Sequence, residues 1–365
     1  MKLGQLRRGS VHPAPVGRPD YYRRELRADL FIRSARDLPE RAFLDRGHRE
    51  SSAHEMGQTC HTKYGVYPLN FSFPQPQRMP DGVSARAHFL SSTIPGEPFS
   101  FDSWDLYLEE YRSSFFALST KKGGWDTFRH LEILFSGGIP LTPGLVSAHP
   151  YALAHYPTRA MALVLENLLH NGPALPDSHT REFFRNFSST RLTTEAMATY
   201  LVEASGMSDS RVLYLDHGLA RRSDYLSAFT LIGLRQLMGS RIIPAYEADY
   251  LLDNFTGDTH RLYGKGFGYT RVLPASLAST ESLSPEQADT PAGRREVIEL
   301  AESCESIVVG NYDGNRELVG ALLASGIPAS RFICILGSDV PPDRSLMTQM
   351  RRSAMTFFVR EFPGR

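Results

Sequence analysis

The segment "FFALSTKKGGWDTFRHLEILFSGGIPL", residues 115–141, decides the expected fold. Its first residues form a compact apolar run that is typical of a buried strand. Two lysines and two glycines follow, and then an amphipathic pattern that predicts a helix from Trp125. The apolar run that begins at Ile139 predicts a second strand. A strand, a glycine turn, a helix and a strand in this order indicate a parallel sheet covered by helices.

Alternating strand and helix patterns extend on both sides of this segment. Upstream, we expect extended chain at 64–74, a strand at 84–93 and a helix at 100–114. Downstream, the predicted strands lie at 211–216, 241–247, 306–311 and 331–337, and the predicted helices lie at 157–169, 192–204, 223–239, 294–303 and 315–326. The sequence therefore predicts an α/β protein with two Rossmann-like domains that face each other across a cleft.

The 365 residues are expected to form four regions. Residues 1–60 are weakly patterned and predict an N-terminal arm or peripheral layer, with one candidate strand at Ala28–Arg33. The two Rossmann-like domains are expected at 61–205 and 206–350, and residues 351–365 are expected to return to the hinge between them.

The loop before the helix carries residue types that suit a nucleotide diphosphate. Glycines let the backbone approach a ligand closely, and a helix N-terminus offers unpaired N–H groups and partial positive charge. A carboxylate one to two turns into the helix can accept hydrogen bonds from a ribose diol. The expected ligand-binding residues are Lys121, Lys122, Gly123, Gly124, Thr127, Arg129 and Glu132. The pattern alone also allows a surface turn followed by a solvated Arg129–Glu132 pair.

Polar side chains also stand at strand ends in the second half. Asp216 and His217 stand at the end of the strand predicted at 211–216. We expect His217 to act as the base that removes a proton from the acceptor hydroxyl, while Asp216 either orients His217 or acts as the base in its place. The alternative is a turn-capping aspartate beside a solvent-exposed histidine. The other expected ligand contacts of this half are Lys265, Gly266, Asn311 and Asp313. For the first two of these, a plain hairpin-like loop is the alternative.

The segment "KKGGWDTFRHLEILFSGGIPL" resembles a motif of GT-B-fold glycosyltransferases, including exostosin-like and related bacterial families. The matching residues are Gly124, Trp125, Asp126, Arg129, His130, Glu132, Leu134, Gly138, Ile139 and Pro140. The resemblance implies transfer of a hexosyl or pentosyl group from a nucleotide-sugar donor to an acceptor hydroxyl, with no further cofactor. It also implies that Glu132 holds the donor ribose, that 61–205 is the donor domain and that 206–350 is the acceptor-side domain.

The order of the two halves departs from this family, in which the acceptor-side half comes first. Two similar segments, "DYYRREL" at 20–26 and "TFFVREF" at 356–362, stand near the chain ends. A circular permutation through tandem duplication leaves such a repeat. We therefore expect a permuted domain order, with the two repeated segments close together near the hinge; two tandem Rossmann domains with a chance repeat are the alternative.

The amino-acid composition further limits the kinds of protein that the chain can be. Forty basic residues balance forty acidic ones, so no overall field attracts nucleic acid or anionic lipid. No apolar run approaches the roughly 20 residues that span a membrane, and the polar N-terminal stretch shows no secretory signal, so a cytoplasmic location is expected. No Asp-x-Asp triplet is present, which favours a metal-independent transferase. His54, Cys60 and His61 resemble metal ligands only superficially, so no metal site is expected.

The identity of the acceptor and the presence of turnover stay open on the sequence. A saccharide, a natural product and a modified nucleobase are all compatible acceptors, the last as in glycosyltransferases that act on modified DNA bases. A protein that binds a nucleotide or sugar phosphate without catalysis is the alternative of another class. Measuring the turnover of a nucleotide-sugar donor distinguishes a glycosyltransferase from a protein that only binds its ligand.

Overall fold

A computed structural model of the protein describes residues 52–74, 86–95, 101–222, 224–288 and 290–363. Its helices are α1 (Ala53–Tyr64), α2 (Trp104–Arg112), α3 (Phe128–Phe135), α4 (Thr158–Asn171), α5 (Ser178–Arg191), α6 (Thr194–Ser205), α7 (Tyr225–Met238), α8 (Pro285–Ala288), α9 (Pro291–Ser303), α10 (Tyr312–Ala324) and α11 (Arg344–Arg352). Its strands are β1 (Tyr67–Pro68), β2 (His88–Leu90), β3 (Ser114–Leu118), β4 (Ile139–Leu141), β5 (Val212–Leu215), β6 (Ile242–Pro244), β7 (Ser306–Val309), β8 (Phe332–Leu336) and β9 (Thr356–Val359). Short 3₁₀ turns connect several of these elements.

The chain divides into two compact units. The first unit includes the described residues between 86 and 190, and the second includes residues 53–74 and those between 191 and 363. Residues 61–74 and 191–205, which the sequence pattern placed in the first domain, thus group with the second unit. The physical reason is that β1 pairs with β9 and α6 packs along α7. The candidate strand at 28–33 and the repeat at 20–26 lie outside the described residues.

The first unit contains a three-stranded parallel sheet in the order β2-β3-β4. Helix α2 connects β2 to β3, and α3 connects β3 to β4. The middle strand is almost fully buried from Phe116 to Leu118. The chain therefore winds across this sheet in one direction only, and all three strands end at the same edge.

The second unit contains a six-stranded parallel sheet in the order β1-β9-β8-β7-β5-β6. Its central strands β7 and β8 read "SIVV" and "FICIL", the continuous apolar runs that parallel strands buried on both faces require. From β5 to β9 the strands follow the 2-1-3-4-5 order of doubly wound sheets. An α/β fold with parallel, Rossmann-like sheets is therefore confirmed.

The winding direction of the second sheet reverses between β5 and β7. The chain passes from β5 to the edge strand β6, and then returns to the other side of β5 to form β7. Since crossovers between parallel strands are right-handed, the reversal places α7 on one face and α9 and α10 on the other. The carboxyl ends of β5 and β7 then border a crevice between two helices, the position where open α/β sheets bind ligands.

Helix α7 anchors this arrangement. It is buried around almost its whole circumference, and its N-cap is Asp224, whose Oδ1 accepts from the Ser227 N–H (3.1 Å). Gly233 faces the carbonyl oxygen of Thr194, which lies only 2.1 Å from the position that a Cβ would occupy. Only glycine allows α6 and α7 to approach so closely.

Candidate functional sites at the sheet edges

The loop after β3 presents its two lysines to solvent. Lys121, Lys122 and Gly123 are exposed, whereas Gly124 is buried. The N–H of Lys122 donates to the carbonyl of Gly124 (3.2 Å) and closes a tight turn. The Lys121 ammonium group lies 5.6 Å from the centre of the Trp125 ring, within the range of a cation–π contact. Two positive charges therefore stand at the carboxyl end of the middle strand.

Buried side chains hold the second part of this loop. Tyr156 donates to Asp126 Oδ1 (2.9 Å), and His130 Nε2 lies 3.0 Å from the carbonyl oxygen of Trp125. Burial lowers the pKa of His130 to about 4, so the ring is neutral, and it carries its proton on Nε2 because a carbonyl only accepts. These contacts keep Trp125 and Asp126 out of α3, which begins at Phe128 and not at Trp125 as the sequence pattern predicted.

Glu132 lies on α3 within a buried polar group. It is 7% exposed, and its Oε2 accepts from the Tyr107 hydroxyl (2.7 Å), which in turn lies 2.9 Å from the Tyr111 hydroxyl. Burial raises the pKa of Glu132, and the charges of Arg129 and Lys122 and the Tyr107 hydrogen bond oppose that rise. The structure thus brings Lys122, Arg129 and Glu132 together. Sequence reasoning missed Tyr107, which it read only as an apolar position of α2.

Thr127, one of the expected ligand-binding residues, lies at the start of α3. It is the N-cap residue of α3, with extended backbone, and it is 8% exposed. Its hydroxyl lies 3.4 Å from that of Ser119, at the end of β3. The hydroxyl expected to meet a diphosphate is therefore directed toward a neighbouring serine.

At the switch point of the second sheet, Asp216 is surrounded by hydrogen-bond donors. It is 4% exposed. Its Oδ1 accepts from the Gly218 N–H (3.1 Å) and from Asn315 Nδ2 (3.1 Å), and its Oδ2 accepts from the Ser227 hydroxyl (2.6 Å). Burial raises the pKa of Asp216, and these bonds oppose the rise. The carboxylate joins β5, α7 and α10 to one another.

His217 is fixed through its backbone. Its N–H donates to Asn315 Oδ1 (2.9 Å), and its ring meets the Tyr246 ring edge to face at 5.2 Å. The side chain is partly exposed at the crevice. No hydrogen bond between the carboxylate of Asp216 and the ring of His217 accompanies this arrangement, so the structure does not show the expected orienting contact.

The polar residues after β7 play two different roles. Asn311 is the N-cap of α10, and its Oδ1 accepts from the Gly314 N–H (3.0 Å). Asp313 is exposed and pairs with Arg316 one turn further along the helix (2.6 Å). Asn311 therefore borders the crevice, while Asp313 belongs to a solvated surface pair.

The glycine loop around Lys265 lies against the start of α7. Gly264, Lys265 and Gly266 have φ angles of 58°, 59° and 73°, so Lys265 adopts a left-handed conformation that side chains rarely take. The Tyr225 hydroxyl lies 2.2 Å from the position that a Cβ on Gly264 would occupy. The rings of Tyr225 and Tyr263 meet edge to face at 5.0 Å. This loop thus stands beside the switch point.

Asp224 is the crevice residue that the sequence analysis did not include in the site. It is partly exposed, and its Oδ2 lies 3.4 Å from Asn311 Nδ2. The close approach of α7 to β7 depends on Gly310, where a Cβ would lie 2.1 Å from the Tyr214 hydroxyl and 2.3 Å from that of Ser227. The sequence offers one signal for Asp224, because an aspartate at the start of the helix predicted at 223–239 is a typical N-cap residue.

Cys60 and His61, which resemble metal ligands only superficially in the sequence, have other surroundings in the structure. Cys60 is buried, which raises its pKa to about 12, and the ring of His61 stacks on that of Tyr67 at 4.4 Å. Within the described ranges, no group of three or more His, Cys, Asp or Glu side chains could hold a metal ion. Among the same residues, none of the helices combines the length and apolar content that a membrane span needs.

Comparisons with known proteins do not extend these observations. No protein-family model, no curated protein and no solved structure matches the chain. The structure itself shows an α/β protein in which helices connect the parallel strands of each sheet. It also shows two candidate sites, one in each unit. What these sites bind is a matter for proposal.

Proposed function

We propose that the protein transfers a sugar from a nucleotide-sugar donor to an acceptor hydroxyl. The observation that carries the proposal is the grouping of Lys122, Arg129 and Glu132 beside the exposed Lys121–Gly123 turn at the end of β3. Cationic side chains next to a glycine turn suit a diphosphate, and a carboxylate next to them suits a ribose diol. The resemblance of this segment to GT-B glycosyltransferases supports the same ligand.

In the proposed reaction, the first unit stabilises the nucleoside diphosphate that leaves the sugar. When the bond between the sugar and the diphosphate breaks, negative charge develops on the diphosphate oxygen, and fixed cations lower the energy of that state. Lys121 and Lys122 are the residues proposed for this task. Because the sequence has no Asp-x-Asp triplet, we expect turnover to persist in excess EDTA; loss of turnover that Mn²⁺ or Mg²⁺ restores contradicts this part.

The acceptor side of the reaction is assigned to the second unit. Its switch-point crevice, bordered by His217, Asn311 and the loop around Lys265, is the proposed acceptor site. The proposal includes the expectation that donor and acceptor meet across a cleft and that the domain order is permuted. Both expectations follow from the family resemblance.

A thermal-shift screen against UDP, GDP, dTDP, ADP and CMP tests the donor assignment. A ligand that binds only the folded state at 100 times its Kd stabilises it by about 2.7 kcal/mol. We expect one nucleotide to raise the melting temperature clearly above the others. Identical melting temperatures with all five at millimolar concentration contradict nucleotide binding.

A second candidate function is nucleotide binding without turnover. The hydrogen bonding of Asp216 favours this function, because its buried carboxylate accepts three hydrogen bonds from within the protein. A carboxylate occupied in this way is a structural element of the crevice. Release of nucleoside diphosphate from a panel of nucleotide sugars separates the two functions, because a binding protein shows a thermal shift and no release.

A further inference from the structure

Two aspartates border the crevice of the second unit, and they differ in exposure and in the strength of their hydrogen bonds. Asp216 accepts from three donors and is 4% exposed. Asp224 is partly exposed, and its Oδ1 accepts from the Ser227 N–H as the cap of α7. Asn311 Nδ2 lies 3.4 Å from Asp224 Oδ2, a distance at which a hydrogen bond is weak. The Oδ2 atom is therefore the carboxylate oxygen that a ligand hydroxyl can engage.

The surroundings of Asp224 are those of a binding crevice. It stands where the winding direction of the sheet reverses, between the starts of α7 and α10. Beside it, Tyr225 meets Tyr263, which is 66% exposed and gives the crevice an aromatic wall. Asn311 on the opposite side supplies an amide donor. An aromatic wall next to a carboxylate and an amide suits a hydroxylated molecule that also has an apolar face.

Burial and the neighbouring charges act in opposite directions on the pKa of Asp224. Burial raises the pKa of Asp224, and the positive charges of Arg360, after β9, and of Arg222, before α7, oppose that rise, as do the N–H groups of Leu226 and Ser227. The neighbouring charge of the same sign is that of Asp216. A carboxylate whose pKa is raised by burial is better suited to accept a proton than an ordinary aspartate.

We infer that Asp224, and not Asp216 or His217, is the general base of the acceptor site; the inference rests on the proposed function. The acceptor O–H donates to Asp224 Oδ2 and transfers its proton to that oxygen. The acceptor oxygen forms a bond to the anomeric carbon of the nucleotide sugar, and the bond from that carbon to the diphosphate oxygen breaks. The electron pair of the broken bond leaves with the nucleoside diphosphate, so atoms and charges balance.

The test compares Asp224→Asn with Asp343→Asn. Asp343 is also an N-cap, with its Oδ1 accepting from the Leu346 N–H (2.8 Å), but it is exposed at the start of α11. Asparagine caps helices about as well as aspartate, so neither change removes a cap. The assay measures nucleoside diphosphate release by the full chain from UDP-glucose, UDP-N-acetylglucosamine, GDP-mannose and dTDP-rhamnose, with water or added methyl glycosides as acceptor. Nucleotide affinity and melting temperature are measured for each protein.

We expect Asp224→Asn to lower the release rate about 100-fold or more, the usual effect of removing a general base, while nucleotide affinity stays within twofold of wild type. The wild-type rate should fall as pH drops through the pKa of Asp224, and this acidic limb should be absent in Asp224→Asn. Asp343→Asn should keep the wild-type rate.

Four results overturn the inference. Wild-type turnover in folded Asp224→Asn, or an equal loss of rate in Asp343→Asn, shows that Asp224 is only a cap. Turnover that falls in step with nucleotide affinity shows that Asp224 does not act on the acceptor. If wild type binds a nucleotide and releases no diphosphate from any donor, the proposed transferase function fails, and the base assignment fails with it.

Discussion

Glu132, on α3 of the first unit, and Asp216, directly after β5 of the second, are both buried carboxylates, at 7% and 4% exposure. Their surroundings differ. Glu132 accepts one hydrogen bond, from Tyr107, and lies among the charges of Arg129 and Lys122. Asp216 accepts three hydrogen bonds from neutral groups. Burial raises the pKa of both, and a different kind of partner opposes that rise in each case.

The difference separates a carboxylate that organises a fold from one that is open to a ligand. Three hydrogen-bond donors occupy most of the acceptor positions of a buried carboxylate, so Asp216 has little capacity left for a ligand. Glu132 has a single hydrogen-bond donor, and the exposed Lys122 contributes its charge at longer range. The sheet topology explains why the two carboxylates have different numbers of donors. At the switch point, the starts of α7 and α10 meet beside Asp216, and each supplies a donor. In the sequentially wound three-stranded sheet, the donor to Glu132 comes from α2.

The largest expected effect is on stability, from Asp216→Ala. The change leaves the buried Ser227 hydroxyl and Asn315 amide without their acceptor, and each orphaned group costs about 1–3 kcal/mol. We expect the free energy of unfolding of the second unit to fall by about 3 kcal/mol or more, measured by denaturant titration. Glu132→Ala in the first unit should cost less, because Tyr107 keeps the Tyr111 hydroxyl as a neighbour. Equal losses contradict the distinction between the two carboxylates.

A smaller effect should follow from Gly310→Ala, which tests the packing that surrounds Asp216. The new methyl group would overlap the Tyr214 and Ser227 hydroxyls, so we expect a loss of about 1–3 kcal/mol in the free energy of unfolding. Gly320→Ala is the matched control, since Gly320 lies within α10 and nothing stands within 4 Å of its added Cβ. That change should stabilise the protein by about 0.5–1 kcal/mol. A Gly310→Ala protein as stable as wild type would show that α7 does not press on β7.

The smallest expected effect is a pH dependence from Glu132→Gln. The folded-state pKa of Glu132 is raised by burial, so its stability contribution is full below the unfolded-state pKa and is lost as pH rises through the folded-state value. Glutamine does not titrate and still accepts from Tyr107. The melting temperature of Glu132→Gln relative to wild type should therefore increase from pH 4 to pH 7. A constant difference across this range contradicts the raised pKa.

Local signals predicted much of the fold. The helix expected at 223–239 is observed as α7, capped by Asp224 and followed by Gly239, because cap residues lie next to the element that they end. Strands β5, β6, β7 and β8 were predicted from their apolar runs, whereas β9, in the segment expected to return to the hinge, was not predicted. Helix α5 was missed within a polar stretch, and α3 begins later than predicted because the Trp125 carbonyl is held by the His130 ring.

Long-range pairings could not be predicted. The edge strand β1 pairs with β9 near the other end of the chain, so the chain regions that build each unit were assigned differently from sequence. The same limit applies to the site. The pattern located Asp216 at a strand end, but two of its donors come from Ser227 and Asn315, 11 and 99 residues away. Whether a carboxylate is satisfied depends on these distant partners, which is why Asp224 was recognised only in the structure.

The central claim is that the turn after β3 binds the donor diphosphate, and isothermal titration calorimetry with the Lys121→Ala/Lys122→Ala double variant tests it most directly. Both lysines are exposed, so their loss should change the melting temperature only slightly, and Arg185→Ala, an exposed position on α5, controls for charge. A charge-assisted hydrogen bond contributes about 1.5–3 kcal/mol. The nucleotide that gives the largest thermal shift should therefore bind the double variant at least about tenfold more weakly than wild type and Arg185→Ala. Equal affinity in all three proteins would contradict the donor site, and with it the account of the first unit.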